Sequence, residues 1–290
     1  MNAQAFPVLI RREFWEHRQL WIAPLVLAIA YIAVCFLPGA INIDGDLPHG
    51  GSTTNGQFFF MGMQLFSTGL LYLLMSVVTF FYLTDSLYAE RKDRSILFWK
   101  SLPVSDAATV LSKVVVAMLV VPVGIVLLSV VANLFAFGIM SVRIHDSPFL
   151  QQFLQWNTGT WLRLNGLLLV DVLVLALWYL PFAGYQLLIS AWAKSNVFVW
   201  TILPPLALTF GERLVFKTWY IGKFLLNRLT VGMAGARPEV PISGANVVEE
   251  TLHRINATPQ LATLALWLGV LAGALLIYGA IRIRRYRDDS

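Results

Sequence analysis

Residues able to carry out covalent or hydrolytic chemistry are scarce in this sequence, and none of them forms a recognisable catalytic motif. The four histidines, His17, His49, His145 and His253, all lie outside the long apolar stretches. The sequence has neither the HExxH spacing that places two zinc ligands on one helical face nor the GxSxG turn that exposes a nucleophilic serine. It also lacks the phosphate-binding GxxxxGK[ST] loop. We therefore predict no catalytic residue, no metal ligand set and no cofactor in this chain.

One acidic residue, Asp171, stands in the middle of an apolar stretch. A charge at that depth costs at least about 2.5 kcal/mol on insertion scales, so its side chain is expected to face the protein interior or a wet cavity. Either Asp171 takes part in a proton relay, or it packs in a neutral or hydrogen-bonded form against Asn133, Asn165 or Gln186. The sequence favours packing, because no basic residue or histidine lies at a matching depth.

The composition places the chain in a lipid bilayer. Of its 290 residues, 58% are hydrophobic and only 13% charged, and the mean hydropathy is +0.69. That is too apolar for a water-soluble protein. The net charge of +5 comes from basic residues beside the apolar stretches, which favours contact with membrane lipids over binding of nucleic acid. Cys35 is the only cysteine, so an intrachain disulfide is excluded.

Six apolar stretches approach or exceed the roughly 20 residues needed to cross about 30 Å of hydrocarbon. The predicted spans are residues 20–38, 62–84, 110–137, 162–190, 197–216 and 261–281. No linker is long enough to separate two soluble domains. The chain is therefore predicted to be all-α and to form a single transmembrane domain over residues 1–290.

An even number of spans places both termini on the same side of the membrane. If that side is cytoplasmic, the inner segments hold 13 of the 21 basic residues, in agreement with the positive-inside rule. We therefore predict a multi-pass protein of the inner (plasma) membrane with both termini in the cytoplasm. Lys113 and Lys194 lie near span ends, where their charged groups can reach the interface, and no special role is predicted for either.

The segment before the first span, residues 6–20, has an amphipathic helical pattern. Phe6, Leu9 and Phe14 fall on one side of the helical wheel, and Arg11 and Arg12 fall on the other. This pattern is typical of a helix that lies along the headgroup plane. Two residues, Glu13 and His17, interrupt the apolar side. The alternative is a simple cytoplasmic extension of the first span.

The charged segment between the second and third spans has the sequence ERKDRSILFWKSLPVSDAATVLSK, residues 90–113. A charged cluster is followed by apolar and aromatic residues and then by Pro103, which ends a helix, while Ser105 and Asp106 offer an N-cap for the next one. This order predicts a short surface helix followed by a new span. Its charge and aromatic content indicate a docking surface, although charged loops of this kind can serve only to fix orientation.

The longest predicted outer segment, residues 217–260, opens with an amphipathic stretch over residues 219–229. This part is expected to lie on, or dip into, the outer leaflet. The remainder is polar and carries proline and glycine, as loops do.

Together, the basic amphipathic leader, the six spans and the inner segment 90–113 resemble the permease subunit of an ABC transporter of the ABC-2 type. The resemblance extends over essentially the whole chain and is most specific in residues 90–113. It implies six transmembrane helices, an N-terminal interfacial elbow helix over residues 6–20, and a cytoplasmic coupling helix between spans 2 and 3.

The resemblance also implies partners and roles. A separate ATPase subunit would bind ATP and Mg²⁺, and a second copy of this chain would complete the pathway as a homodimer. The residues implied to contact the ATPase are Glu90, Arg91, Arg94, Phe98 and Trp99. The implied activity is export of a small or amphipathic solute.

The sequence leaves two alternative functions open. An ion-coupled secondary transporter would depend on Asp171 and need no ATPase, and a membrane scaffold or sensor component would transport nothing. The spans carry few polar residues that would mark a substrate class, which leaves the cargo open.

Overall fold

The computed structural model describes residues 5–37, 53–93, 104–143, 157–230 and 247–286, and these residues form helices and their connections without a β-strand. The helices are α1 (Ala5–Glu16), α2 (Gln19–Phe36), α3 (Thr53–Lys92), α4 (Asp106–Val115), α5 (Val121–Arg143), α6 (Thr158–Trp192), α7 (Val197–Phe216), α8 (Tyr220–Thr230), α9 (Val247–Ile255) and α10 (Leu264–Tyr286). A π-helical turn, Val116–Val120, joins α4 to α5, and a 3₁₀ turn, Thr258–Ala262, precedes α10.

Six helical stretches are long and apolar enough to cross a membrane, which confirms the predicted all-α fold with six spans. They are Gln19–Phe36, Phe60–Lys92, Asp106–Val142, Thr158–Trp192, Val197–Phe216 and Leu264–Tyr286. The second span continues beyond the predicted end at Thr84 to Lys92. The third begins earlier than predicted, at Asp106, where the predicted N-cap Ser105 accepts a hydrogen bond from the N–H of Ala108.

The π-helical turn in the third span lies directly before Pro122. The N–H of Val121 donates to the carbonyl of Val116, five residues back, and Pro122 has no N–H to donate. The wider turn accommodates the proline, so the span continues as α5.

Helices α6 and α10 form the most extensive helix pair in the bundle. Gly184 of α6 and Gly273 of α10 bring their backbones together: a Cβ on Gly184 would lie 2.7 Å from the carbonyl oxygen of Gly273. Small residues at such a contact are the usual means by which membrane helices pack closely. The main apolar core surrounds this pair and includes Leu83 of α3 and Leu187 of α6.

The bundle has two ends, here named by the short helices that pack against them. The α1 end contains α1, the last turns of α3, α6 and α10, and the first turns of α4 and α7. At the α9 end, Leu252 of α9 packs against Met61 of α3 and Leu164 of α6.

Helix α1 is separate from α2, since His17 and Arg18 between them belong to neither helix. On the predicted apolar side, Leu9 is buried, and Phe14 packs against the main core. This side therefore contacts protein, chiefly α4. Phe6 is half-buried and Arg11 is exposed.

Helices α7 and α8 form a hairpin at the α9 end, and α8 matches the amphipathic stretch predicted over residues 219–229. Lys217, at the turn, has a φ of 54°. The carboxylate of Glu212 accepts hydrogen bonds from the N–H groups of Tyr220 and Ile221, at 2.7 and 2.8 Å, and from the Thr218 hydroxyl at 2.9 Å. Glu212 thereby caps the N-terminus of α8 and fixes the hairpin.

Candidate functional site

A cluster of buried and half-buried charged side chains lies at the α1 end. We call it the ion cluster and define it as Arg12, Glu13, Glu90, Asp106, Lys113 and Arg284. Its centre is Lys113 of α4, whose side chain is fully buried and whose Nζ lies 3.0 Å from both carboxylate oxygens of Glu13 and 3.1 Å from Oε1 of Glu90. One ammonium group therefore binds two carboxylates that belong to different helices.

Glu90, in the last turn of α3, forms ion pairs with the two arginines of the ion cluster. Its Oε1 accepts from Nη2 of Arg12 at 3.2 Å, and its Oε2 accepts from Nη1 of Arg284 near the end of α10. Nε of Arg284 also donates to Asp106 at 3.1 Å. The three cations and three carboxylates balance, which offsets the desolvation that an unpaired buried charge would suffer.

Two aromatic side chains cover the Glu13 side of the cluster. The hydroxyl of Tyr82 donates to Oε2 of Glu13 at 2.8 Å, and the ring of His17 meets the ring of Tyr82 edge-on, with centroids 4.8 Å apart. Burial of the His17 ring, together with the nearby positive charge of Lys113, lowers the pKa of His17 below its usual 6.5. His17 is therefore neutral at physiological pH and adds no charge to the cluster.

The ion cluster joins four helices. Glu13 and Arg12 belong to α1, Glu90 to the end of α3, Lys113 and Asp106 to the start of α4, and Arg284 to α10. Glu90 and Asp106 stand on either side of residues 94–103, the core of the segment predicted to dock a partner. Both flanks of that segment are therefore fixed to α1 and α10 through buried ion pairs.

The predicted absence of a special role for Lys113 is wrong. Its side chain is fully buried instead of reaching the interface, because Glu13 and Glu90 compensate its charge inside the bundle. The interruption of the α1 apolar side by Glu13 has the same cause: Glu13 turns inward to meet Lys113. A carboxylate in an apolar stripe was the sequence signal for this pairing, but its partner lies 100 residues away.

The residues predicted to contact an ATPase fall into two groups. Glu90 is buried in the ion cluster, and Nη2 of Arg91 donates to the carbonyls of Ser190 and Ala193, each at 2.7 Å, at the end of α6. Arg94, Phe98 and Trp99 lie outside the described residues, as does the predicted coupling helix beyond Asp93. The contact with an ATPase stays a prediction for all five.

The intramembrane amides make hydrogen bonds that join helices. Oδ1 of Asn133 accepts from the hydroxyls of Tyr31 and Ser67, each at 3.1 Å, so α5 is linked to α2 and α3. Nε2 of Gln64 donates to Oδ1 of Asn165 at 2.8 Å and links α3 to α6. A cavity of about 40 Å³ borders Gln64 and Asn133, with room for a few water molecules.

Asp171 does not join these amides. Asn133 and Asn165 bond as described above, and Gln186 donates to the hydroxyl of Tyr179 at 2.9 Å. The suggested hydrogen bond between Asp171 and one of the three amides is therefore absent. Asp171 is half-buried on α6, and no ion pair to it occurs among the described residues.

One grouping of metal-ligand type occurs in the described ranges, formed by Glu13, Glu16 and His17. Its geometry does not favour a metal ion. Both oxygens of Glu13 already contact Nζ of Lys113, and Oε1 of Glu16 accepts from Nε of Arg12 at 2.8 Å. The positive charge of Lys113 would oppose a bound cation.

The chain matches a protein-family model described as ABC-2 family transporter protein, over residues 9–185. The matched region begins in α1, contains the whole ion cluster except Arg284, and ends in α6. A comparison with curated proteins gives no significant match. Because the matched region covers more than half of a chain with six membrane-spanning helices, this protein is a multi-pass membrane member of the ABC-2 transporter family.

Proposed function

We propose that this chain is the permease subunit of an ATP-driven exporter of a small or amphipathic solute. A separate ATPase subunit binds and hydrolyses MgATP, and two copies of this chain enclose the transport pathway. The α1 end, which holds the start of α1 and the end of α10, faces the cytoplasm of a cell whose inner membrane holds the complex. Family membership supports a permease role, since the family describes a membrane component of transporters and no catalytic domain.

The observation that carries this proposal is the position of the ion cluster. An ATPase that works from outside the membrane must act on a segment that is mechanically connected to several spans. Residues 94–103 meet this requirement, because Glu90 before them and Asp106 and Lys113 after them are bound by ion pairs to α1 and α10. A displacement of this segment would move four helices together.

The distribution of basic residues supports the orientation. Exposed arginines and lysines at the α1 end include Arg11, Arg18, Lys92, Lys194, Arg282 and Arg285. A concentration of such residues beside span ends is typical of the cytoplasmic side.

The decisive experiment tests whether residues 94–103 transmit the work of an ATPase. An ABC ATPase should copurify with this chain, and its activity should rise when the complex is placed in nanodiscs. The double variant Arg94→Ala/Trp99→Ala should reduce this stimulated activity at least about tenfold while membrane insertion stays normal, because it removes a charged and an aromatic anchor of the kind that dominates interfaces.

A matched control is Arg285→Ala/Trp267→Ala, which removes the same residue types from exposed positions outside the segment. This control should behave like the wild type. Equal stimulation of the complex in the Arg94/Trp99 variant and in the wild type would contradict the proposed docking segment. If no ATPase associates with the chain, the proposed energy source is wrong.

A further inference from the structure

Arg228 is the one buried cation of the α7–α8 hairpin, far from the ion cluster. Of the α8 residues whose side chains are described, only Gly222 and Arg228 are buried, and the Arg228 side chain is 6% exposed. It leaves α8 and enters the space between α6 and α10. No carboxylate forms an ion pair with Arg228 in the part of the chain that the structure describes.

The guanidinium has a site built for it. It lies over the ring of Trp178 of α6, with Cζ 4.8 Å from the ring centroid. It also rests on Gly269 of α10, where a Cβ would stand 1.3 Å from Nη2. Any residue other than glycine at position 269 would displace the guanidinium.

The hydrogen bonds at this site are incomplete. Nε of Arg228 donates to the carbonyl of Trp178 and Nη1 donates to the carbonyl of Ala265, both at 3.3 Å, the long end of the usual range. Nη2 of Arg228 and Nε1 of Trp178 are both buried and have no acceptor. Buried donors are almost always satisfied, so these two donors, beside a positive charge that no carboxylate of the described residues pairs with, favour an anionic acceptor at this position.

The side chains around Arg228 indicate which class of anionic molecule fits this position. Phe224 and Leu229 of α8 are exposed, as are Leu264 and Leu268 of α10. The ring centroid of Phe224 lies 5.8 Å from Cζ of Arg228, and Leu268 is the chain neighbour of Gly269, so exposed apolar side chains of α8 and α10 lie next to the guanidinium. A ligand that reaches Arg228 along this surface needs acyl chains as well as an anionic group.

We propose that Arg228, with Trp178, binds the headgroup phosphate of an anionic phospholipid in the leaflet at the α9 end. The phosphate oxygens accept from Nη2 of Arg228 and from Nε1 of Trp178, and the acyl chains lie along α8 and α10. Bound lipid completes the contact of α8 with the bundle. This site is independent of the ion cluster and of the proposed energy source.

The test is binding of phosphatidylglycerol to the purified full chain, measured by native mass spectrometry and by the shift in thermal unfolding on lipid addition. The wild type should bind phosphatidylglycerol roughly tenfold more tightly than phosphatidylcholine, the ratio expected from about 1.4 kcal/mol. Arg228→Gln should abolish this preference. Lys223→Gln, which removes an exposed charge from the same helix, should keep it.

Gly269→Ala provides a second variant, because it leaves Arg228 unchanged but occupies the space of its guanidinium. It should lose the preference to the same extent as Arg228→Gln. Inorganic phosphate serves as a soluble competitor and should fail to displace the lipid at millimolar concentration. Survival of the preference in Arg228→Gln, or displacement by inorganic phosphate alone, would overturn the assignment of a lipid headgroup. Equal binding of the two lipids by the wild-type chain would overturn it as well, whether or not the variants fold.

Discussion

Lys113 and Glu13 are both fully buried and lie 100 residues apart in sequence, yet Nζ of Lys113 contacts both carboxylate oxygens of Glu13 at 3.0 Å. Their pairing attaches α1 to the third span. Glu90 shares the same ammonium group, which makes the contact a junction of three helices.

The first prediction concerns the stability of this junction. Lys113→Met should destabilise the chain by about 3–5 kcal/mol, because it leaves Glu13 as a buried carboxylate without its cation. The double variant Glu13→Gln/Lys113→Met should be less destabilised than the sum of the two single variants. Thermal unfolding in detergent measures all three, and Lys194→Met, at an exposed lysine of the same end, should have no measurable effect. Additive effects of the two single variants would show that the pair contributes nothing.

The second prediction concerns pH. The pKa of His17 is lowered in the folded state by burial and by Lys113, so the unfolded chain binds a proton at this site more readily than the folded chain does. The contribution of His17 to stability is therefore complete above pH 6.5 and is lost as the pH falls below that value. His17→Gln should flatten the decline in unfolding temperature between pH 7.5 and 5.5. An identical decline in the His17 variant and the wild type would refute the assignment.

The third prediction concerns the contact between α6 and α10. A Cβ on Gly273 would lie 2.8 Å from the backbone carbon of Leu180, and backbone cannot move aside as a side chain can. Gly273→Ala should therefore destabilise the bundle by roughly 1–3 kcal/mol. Gly124→Ala is the control, because its added Cβ would have no atom within 4 Å other than those of its chain neighbours and its own helical backbone. Thermal unfolding of the two variants gives the comparison, and equal midpoints would contradict the close packing described here.

The fourth prediction separates an ATP-driven permease from a proton-coupled carrier. Asp171 has neither an ion pair nor a hydrogen bond within the described ranges, so Asp171→Asn should keep the fold and should slightly raise the unfolding temperature. In liposomes that contain the chain alone, an imposed pH gradient should decay at the same rate for the variant and the wild type. Faster decay with the wild type would favour the proton-coupled alternative.

Much of the fold is predictable from this sequence, because the length of an apolar stretch and the need to satisfy backbone hydrogen bonds in lipid leave few choices. The six spans, the amphipathic α1 and α8, and the N-cap at Ser105 all follow from local patterns. The predicted ends of the spans are less accurate. Helix α3 continues past Thr84 into the charged residues because Glu90 is neutralised by groups from other helices, which a hydropathy pattern does not reveal.

The candidate sites were harder to predict because each depends on contacts between distant residues. In the local sequence pattern, Glu13 only interrupts the apolar side of α1, and Lys113 is a lysine near a span end. Their ion pair forms only because α1 packs on α4. From the sequence, Arg228 is likewise only one of several basic residues on an amphipathic helix. Its distinct role depends on Gly269, a residue 41 positions away whose missing side chain leaves room for the guanidinium.

The length of α3 has a consequence for the whole molecule. With 40 residues it is about 60 Å long, about twice the thickness of the hydrocarbon layer, and its sequence contains no proline. The helix carries Glu90 at one extremity and Met61 near the other, where Met61 packs against Leu252 of α9. The helix is continuous and has no proline kink. We therefore expect a tilt of α3 at Glu90 to be transmitted along the helix to its contact with α9 at the other end of the bundle.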